Sequence, residues 1–193
     1  MADEIPPFSG DFAAGTQVAG YLLREQIGWG GMAAVYRAYE VRLSRWVALK
    51  ILAPEIAGDA SFRRRFISES RAAAAVDHPH IIPVFEAGEA GGVLFIAMRY
   101  VGGGDVRMLI RRLGPLDAAR AGRIIGQVAS ALDAAHAAGL AHRDVRPANM
   151  LLDESAGDGY PDHVYLADFG LSRQAGPAAG PAAGSQADLY ALA

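Results

Sequence analysis

The chain has 193 residues, 52% of them hydrophobic and 20% charged, so it is long enough to bury a core as one domain or two small lobes. Its net charge of -3 gives no basis for nucleic-acid binding, and the absence of cysteine excludes disulfides and thiolate metal sites. Residues 1–15 are acidic and proline-containing, with no basic and apolar signal-peptide pattern, and no apolar run is long enough to span a bilayer. A cytoplasmic setting is the default expectation.

In chain order, residues 1–15 are expected to be a flexible leader. From Tyr21 the pattern turns β-like. Two apolar runs, Tyr21–Ile27 and Ala34–Tyr39, flank a glycine cluster and predict a hairpin. Trp46–Leu52 predicts a third strand, ended by Pro54. Asp59 or Ser61 is placed to cap a helix running to Val76, with Phe62 and Phe66 on one face and His78-Pro79 breaking it. Two strands, Ile81–Glu86 and Val93–Met98, follow. The run Gly102-Gly103-Gly104 separates this β-rich half from a helical half. Asp105–Arg112 predicts a short helix and Asp117–Ala138 a long one closed by Gly139, with Ile124, Ile125, Val128, Leu132 and His136 on its buried face. Short strands are expected around Met150–Leu152 and Val164–Leu166. The stretch from Ala175 to Gly184, AGPAAGPAAG, is low in complexity and is expected to be unstructured, with a further helix beginning at Ala187.

Five motifs carry chemistry. Gly28-Trp29-Gly30-Gly31-Met32-Ala33 lies between two strands, where glycines let backbone N–H groups approach phosphate oxygens. Alone, it reads equally as a glycine-rich hairpin turn, and Ala33 stands where a third glycine would complete the pattern. Val47-Ala48-Leu49-Lys50 places the only lysine of the chain on a strand facing that loop. In a sequence whose other Lys/Arg positions are all arginine, this reads as a position where a guanidinium fork will not do, or equally as a solvated strand lysine. Glu69 on the following helix fits a carboxylate pairing with Lys50, or a surface charge paired with Arg65. His142-Arg143-Asp144-Val145-Arg146-Pro147-Ala148-Asn149 is more specific. Its aspartate is suited to take a hydroxyl proton and its asparagine to ligate Mg²⁺. Asp168-Phe169-Gly170 after a strand supplies a second Mg²⁺ oxygen. His78-Pro79-His80 lacks a third nearby ligand and does not read as a metal site.

The five motifs occur in the order and on the elements of protein kinases. From Gly20 to Arg173 the sequence resembles bacterial serine/threonine protein kinases of the actinobacterial type. The resemblance implies an α+β, two-lobed protein-kinase-like fold with a complete β-rich N-lobe (16–101) and a truncated helical C-lobe (102–174). A low-complexity segment (175–186) and the start of a truncated helix (187–193) follow. It also implies ATP and Mg²⁺ as cofactors and a protein substrate or partner kinase. Residue by residue, Lys50 contacts the α- and β-phosphates and pairs with Glu69, Asp144 is the catalytic base, and Asn149 and Asp168 hold Mg²⁺. Ile27, Gly28, Gly30 and Gly31 belong to the phosphate-covering loop. Val35, Ala48 and Leu151 sandwich adenine. Met98 matches the gatekeeper, and the backbone of Tyr100 and Val101 binds the base.

The sequence departs from the family in two places. Arg146 stands where the family has a lysine reaching the transferred phosphoryl group, and it is counted with the catalytic residues on that basis. The activation segment, peptide-docking stretch and A-P-E motif expected between Asp168 and the D-x-Y helix, here Asp188-Leu189-Tyr190, are replaced by AGPAAGPAAG and a few residues. Thr16 is the only threonine, and Arg143 has no evident phosphate partner. A missing continuation of the Asp188 helix would leave the long helix's face at Ile124, Val128 and Leu132 open, a route to self-association. Three readings stay open: an active serine/threonine kinase, a degenerate kinase acting as a nucleotide- or protein-binding module, and an inert fragment.

Overall fold

Alternation of small or aliphatic residues with polar ones along 33–52 forces those segments into a sheet with one dry face. The structure is a computed structural model, and it describes residues 12–30, 33–153, 162–169 and 181–192. It divides into a unit built from residues 1–68 and 84–100 and a second built from 69–83 and 101–193.

In the first unit the strands are β1 (Gln17–Val18), β2 (Tyr21–Gly30), β3 (Ala33–Glu40), β4 (Arg45–Leu52), β5 (Val84–Ala90) and β6 (Val93–Arg99). They form one antiparallel sheet in the order β1-β2-β3-β4-β6-β5. Register fixes two faces. Ala34, Tyr36, Ala38, Val47, Leu49, Ile51, Phe95 and Ala97 point one way into the apolar core of this unit. Val35, Arg37 and Tyr39 on β3 alternate to the other face, with Lys50, Ala48 and Trp46 opposite them on β4. Phe12, inside the span expected to be leader, packs edge-on against Tyr36 at 6.3 Å. A short helix α1 (Pro54–Ala57) follows β4. The strand predicted at Ile81–Glu86 is instead β5 at Val84–Ala90. Pro83 has no N–H to give a ladder, and Ile81 forms an isolated bridge with Leu166.

Helix α2 (Ala60–Ala74) starts as predicted at Asp59, whose carboxylate accepts from the N–H groups of Ser61 (2.7 Å) and Phe62 (3.3 Å). The Ser61 side chain, and after it these two N–H groups, hold the Asp59 carboxyl below its ordinary value.

The second unit contains α3 (Val106–Leu113), α4 (Ala118–Ala137), a 3-10 turn (Pro147–Asn149), β7 (Met150–Asp153), β8 (His163–Leu166) and α5 (Pro181–Leu192). Asp105 and Asp117 cap α3 and α4 through their side chains at 2.8 Å each. Ile124, Val128, Ala131, Leu132 and Ala135 of α4 share one core with Val106, Leu109, Met150, Leu152, Val164 and Leu166. The apolar face expected to be open is therefore closed by the unit's own β7, β8 and α3, and Leu192 of α5 packs on the same core. Ile125 lies off that face and is exposed. Gln127 of α4 completes the edge of β8. Its amide donates to Asp162 O (2.7 Å) and accepts from Val164 N–H (2.9 Å). Arg120 grips Asp162 through two bonds of 2.7 and 2.6 Å, which hold that carboxyl below its ordinary value.

Helix α5 begins at Pro181, within the alanine–glycine–proline stretch, rather than at Ala187. Proline suits a first helical position because its missing N–H is an orphan there. Residues 175–180 lie outside the described residues. Gly184 leaves no room for a side chain, since a Cβ there would stand 2.6 Å from Ala141 Cβ. Gly126, in the interior of α4, has no atom within 4 Å of such a Cβ. Gly184→Ala is accordingly expected to destabilise the chain by about 1–3 kcal/mol by overpacking, while Gly126→Ala stabilises it by ~0.5–1 kcal/mol. Thermal unfolding of the two variants checks the opposed signs.

Candidate active site

The segment from Leu140 to Asn149 has little regular structure of its own, so side chains must hold it. Asp188, on α5 and 1% exposed, does so. One carboxylate oxygen accepts from His142 N–H at 2.7 Å and the other from Arg143 N–H at 2.5 Å. His136 of α4 completes the arrangement at 2.9 Å from the first oxygen. Arg143 adopts φ 66°, a left-handed conformation that costs a β-carbon residue free energy. The two charge-assisted bonds to Asp188 offset that cost and turn the chain so that Asp144 follows in a fixed direction.

The His142 ring is fully buried and spans the site. Its Nε2 lies 2.8 Å from Ala167 O, an acceptor, and its Nδ1 accepts from Asp144 N–H at 3.2 Å. The two partners fix a neutral ring with the proton on Nε2. Burial pushes the His142 pKa below its ordinary 6.5, outweighing the Ala167 carbonyl and the nearby carboxylates of Asp188, Asp168 and Asp144. Phe169 packs edge-on against the same ring at 4.6 Å. His142 thus joins the Asp144 loop to the strand end that carries Asp168.

Asn149 Nδ2 donates to Asp144 O at 2.8 Å and to Asp144 Oδ2 at 2.9 Å. Arg146 Nε lies 3.3 Å from the same Oδ2. Asn149 O accepts from Ala167 N–H at 2.9 Å, which places the asparagine beside the strand leading to Asp168. Asp168 has φ 70°, a second left-handed residue in the site. With its amide nitrogen committed to Asp144, Asn149 has its side-chain oxygen left for a cation. That oxygen and the Asp168 carboxylate suit Mg²⁺, which takes one or two protein oxygens and completes its shell with water and phosphate. Among the described residues there is no group of three or more His, Cys, Asp or Glu that could hold a metal ion.

Arg143, left without a partner by the sequence reading, lies with Nη1 3.3 Å from Glu69 Oε1. Glu69 therefore meets an arginine from a distant part of the chain. Val101 precedes the glycine run, where Gly103 N–H donates to Leu152 O at 3.1 Å and Leu152 N–H to Gly104 O at 2.9 Å. This seats Leu151 on the strand beside the run.

The remaining site residues lie in the first unit. Ladder pairs join Gly28 to Val35, Val35 to Lys50, and Ala48 to Met98. All but Gly28 share the face turned away from the apolar core, as the alternation of β3, β4 and β6 requires. Gly28 and Gly30 are extended and need no left-handed backbone. Nothing lies within 4 Å of a Cβ built at Gly30, so its side is open. Ile27 is exposed on β2, and Tyr100 follows β6 directly. Gly31 lies outside the described residues.

The protein kinase domain matches residues 21–186. The chain belongs to the protein kinase family. It is 42% identical over 175 residues to the serine/threonine-protein kinase PknD of Mycobacterium tuberculosis, covering 91% of this chain and 24% of that protein. It is 44% identical over 166 residues to PknJ of Mycobacterium bovis, covering 86% of this chain and 28% of the relative. Among solved structures, the kinase domain of Mycobacterium tuberculosis PknI superposes with a TM-score of 0.79 at 39% identity, covering 94% of this chain and 74% of that one. The chain spans about a quarter of the length of the curated relatives it matches. Among the described residues no helix is long and apolar enough to cross a membrane.

One buried histidine, His142, and one half-buried histidine, His80, make stability pH-dependent. His80, which lies 3.0 Å from Val164 O, also has its pKa lowered, first by burial and then by the neighbouring His163 and His78. Folded, both His80 and His142 bind a proton less readily than in the unfolded chain. Stability is therefore lost as pH falls from histidine's ordinary 6.5 toward their lowered folded values. Thermal unfolding at pH about 7.5 and about 5.5 is expected to show a lower Tm at the acid value, with a smaller drop in His80→Asn. An unchanged or higher Tm at acid pH contradicts neutral rings.

Proposed function

We propose that the chain is the ATP-binding and phosphotransfer portion of a serine/threonine protein kinase, acting on hydroxyls of a protein substrate. The observation that carries this reading is the Asp144–Asn149 pair, oriented by His142 and by Asp188 beneath it. Such a loop presents one carboxylate in a fixed direction, as proton acceptance from a substrate hydroxyl requires. Phosphoryl transfer asks little covalent chemistry of a protein and depends on positioning and on neutralising charge over several oxygens.

On this reading Lys50 meets the α- and β-phosphates, and Glu69 serves to position it. Ile27, Gly28, Gly30 and Gly31 line the phosphate side of the loop. Val35, Ala48 and Leu151 enclose the base, beside Met98 and the backbone of Tyr100 and Val101. Asn149 Oδ1 and the Asp168 carboxylate would hold Mg²⁺, which supplies charge neutralisation when bound. Arg146, already on Asp144 Oδ2, carries the positive charge toward the transferred group.

A second reading, nucleotide or protein binding without transfer, draws on the short stretch between Asp168 and Asp188, which leaves little chain for docking a peptide. One set of measurements separates the two. Mg-ATP binding is followed by thermal shift, and transfer from labelled ATP to a generic protein substrate is counted. Asp144→Asn is expected to lower transfer by about 10²–10⁴-fold with Mg-ATP affinity retained. Lys50→Ala is expected to weaken both. Binding with no transfer by the unaltered chain favours the second reading, and absence of binding rejects both.

A further inference from the structure

On the face of the first unit's sheet that carries Val35, Ala48 and Lys50, the rung after the Val35–Lys50 pair joins Ala48 to an arginine. Arg37 pairs with Ala48 across β3–β4 and with Glu25 across β2–β3. Its guanidinium carbon lies 4.1 Å from the centre of the Trp46 ring and 5.1 Å from that of Tyr100, and its Nη1 donates to Glu25 Oε1 at 3.1 Å. Arg37 Nε is buried with no hydrogen-bond acceptor among the described residues. Rings and one carboxylate, rather than a set of carbonyls, therefore hold the group. Tyr39 closes the outer side by meeting Trp46 edge-on at 5.2 Å.

Register explains why these groups meet. Val47 pairs with Arg99, so the chain leaving β6 brings residue 100 to the level of Trp46 on the same face. Arg37 on β3 thus reaches across β4 to the first residue beyond β6. It ties that residue to strands that cannot shift without breaking ladder bonds.

We propose that Arg37 is a positioning residue for the nucleotide base: its contacts with Trp46 and Tyr100 hold the backbone after β6 in the conformation that receives adenine. The proposal rests on the ATP-binding reading above and adds to it a determinant of base selectivity that touches no phosphate. A cation held between two aromatic faces is attracted by both. Fixing one ring in this way removes conformational freedom that would otherwise be lost when the base binds. Lysine keeps the charge and can reach Glu25, but lacks the flat group that lies against a ring.

The test is the ratio of Mg-GTP to Mg-ATP dissociation constants, obtained by competition against a fluorescent ATP analogue, for the unaltered chain, Arg37→Ala and Arg37→Lys. Both ligands carry the same triphosphate, so loss of phosphate contacts or of general stability cancels from the ratio. The expected result is a preference for ATP that narrows roughly tenfold in Arg37→Ala and is only partly restored in Arg37→Lys. An unchanged ratio in Arg37→Ala overturns the proposal, whether both affinities stay constant or fall together. An unaltered chain that binds ATP without preferring it to GTP also overturns it. An unaltered chain that binds neither nucleotide overturns the ATP-binding reading, and the proposal with it. That failure is read from the unaltered chain alone, before any variant is compared.

Discussion

The second unit depends on one buried carboxylate. Asp188 accepts the N–H groups of two successive residues, His142 and Arg143, and meets His136 from a third element. An ionised group 1% exposed is costly unless every lone pair is used, and here the backbone of the loop supplies the donors. In return the loop holds Arg143 in a left-handed conformation that it would not keep unaided. The orientation of Asp144 and the seating of Asn149 follow from that constraint, and the edge-on contact of His142 with Phe169 carries it to the strand end at Asp168.

A second constraint is the strand register of the first unit. Once Ala34, Tyr36, Ala38, Leu49 and Ile51 are committed to the core, every intervening residue of β3 and β4 must face the other way. That brings Val35, Ala48 and Lys50 together without any direct attraction between them, and it places Arg37 opposite Ala48 and Trp46 one rung further out. The site in this unit is a by-product of packing its opposite face.

The sequence was most legible where chemistry and spacing coincide. The strands around Lys50, the cap at Asp59, the helices starting at Asp105 and Asp117, and the loop from His142 to Asn149 are local features, set by residues close in the chain. Features set by partners far along the chain were not legible. Glu69 and Arg143 are 74 residues apart, and no helical spacing points from one to the other. Asp188 was read as part of a motif, but its bonds to backbone N–H groups leave no trace in residue type. The open face expected on α4 was a misreading of the same kind, because periodicity shows that a face is apolar and not what covers it. The start of β5 was displaced by Pro83, and α5 began at a proline that composition alone had assigned to loop.

Hydrogen exchange at the amides of His142 and Arg143, in the unaltered chain and in Asp188→Asn, tests the central constraint most directly. An amide bonded to a buried carboxylate exchanges slowly, so both sites should be protected in the unaltered chain. In the variant one acceptor oxygen becomes a donor facing an N–H group, and protection at these two amides should fall well before that of α4. Rapid exchange at both amides in the unaltered chain would contradict the account.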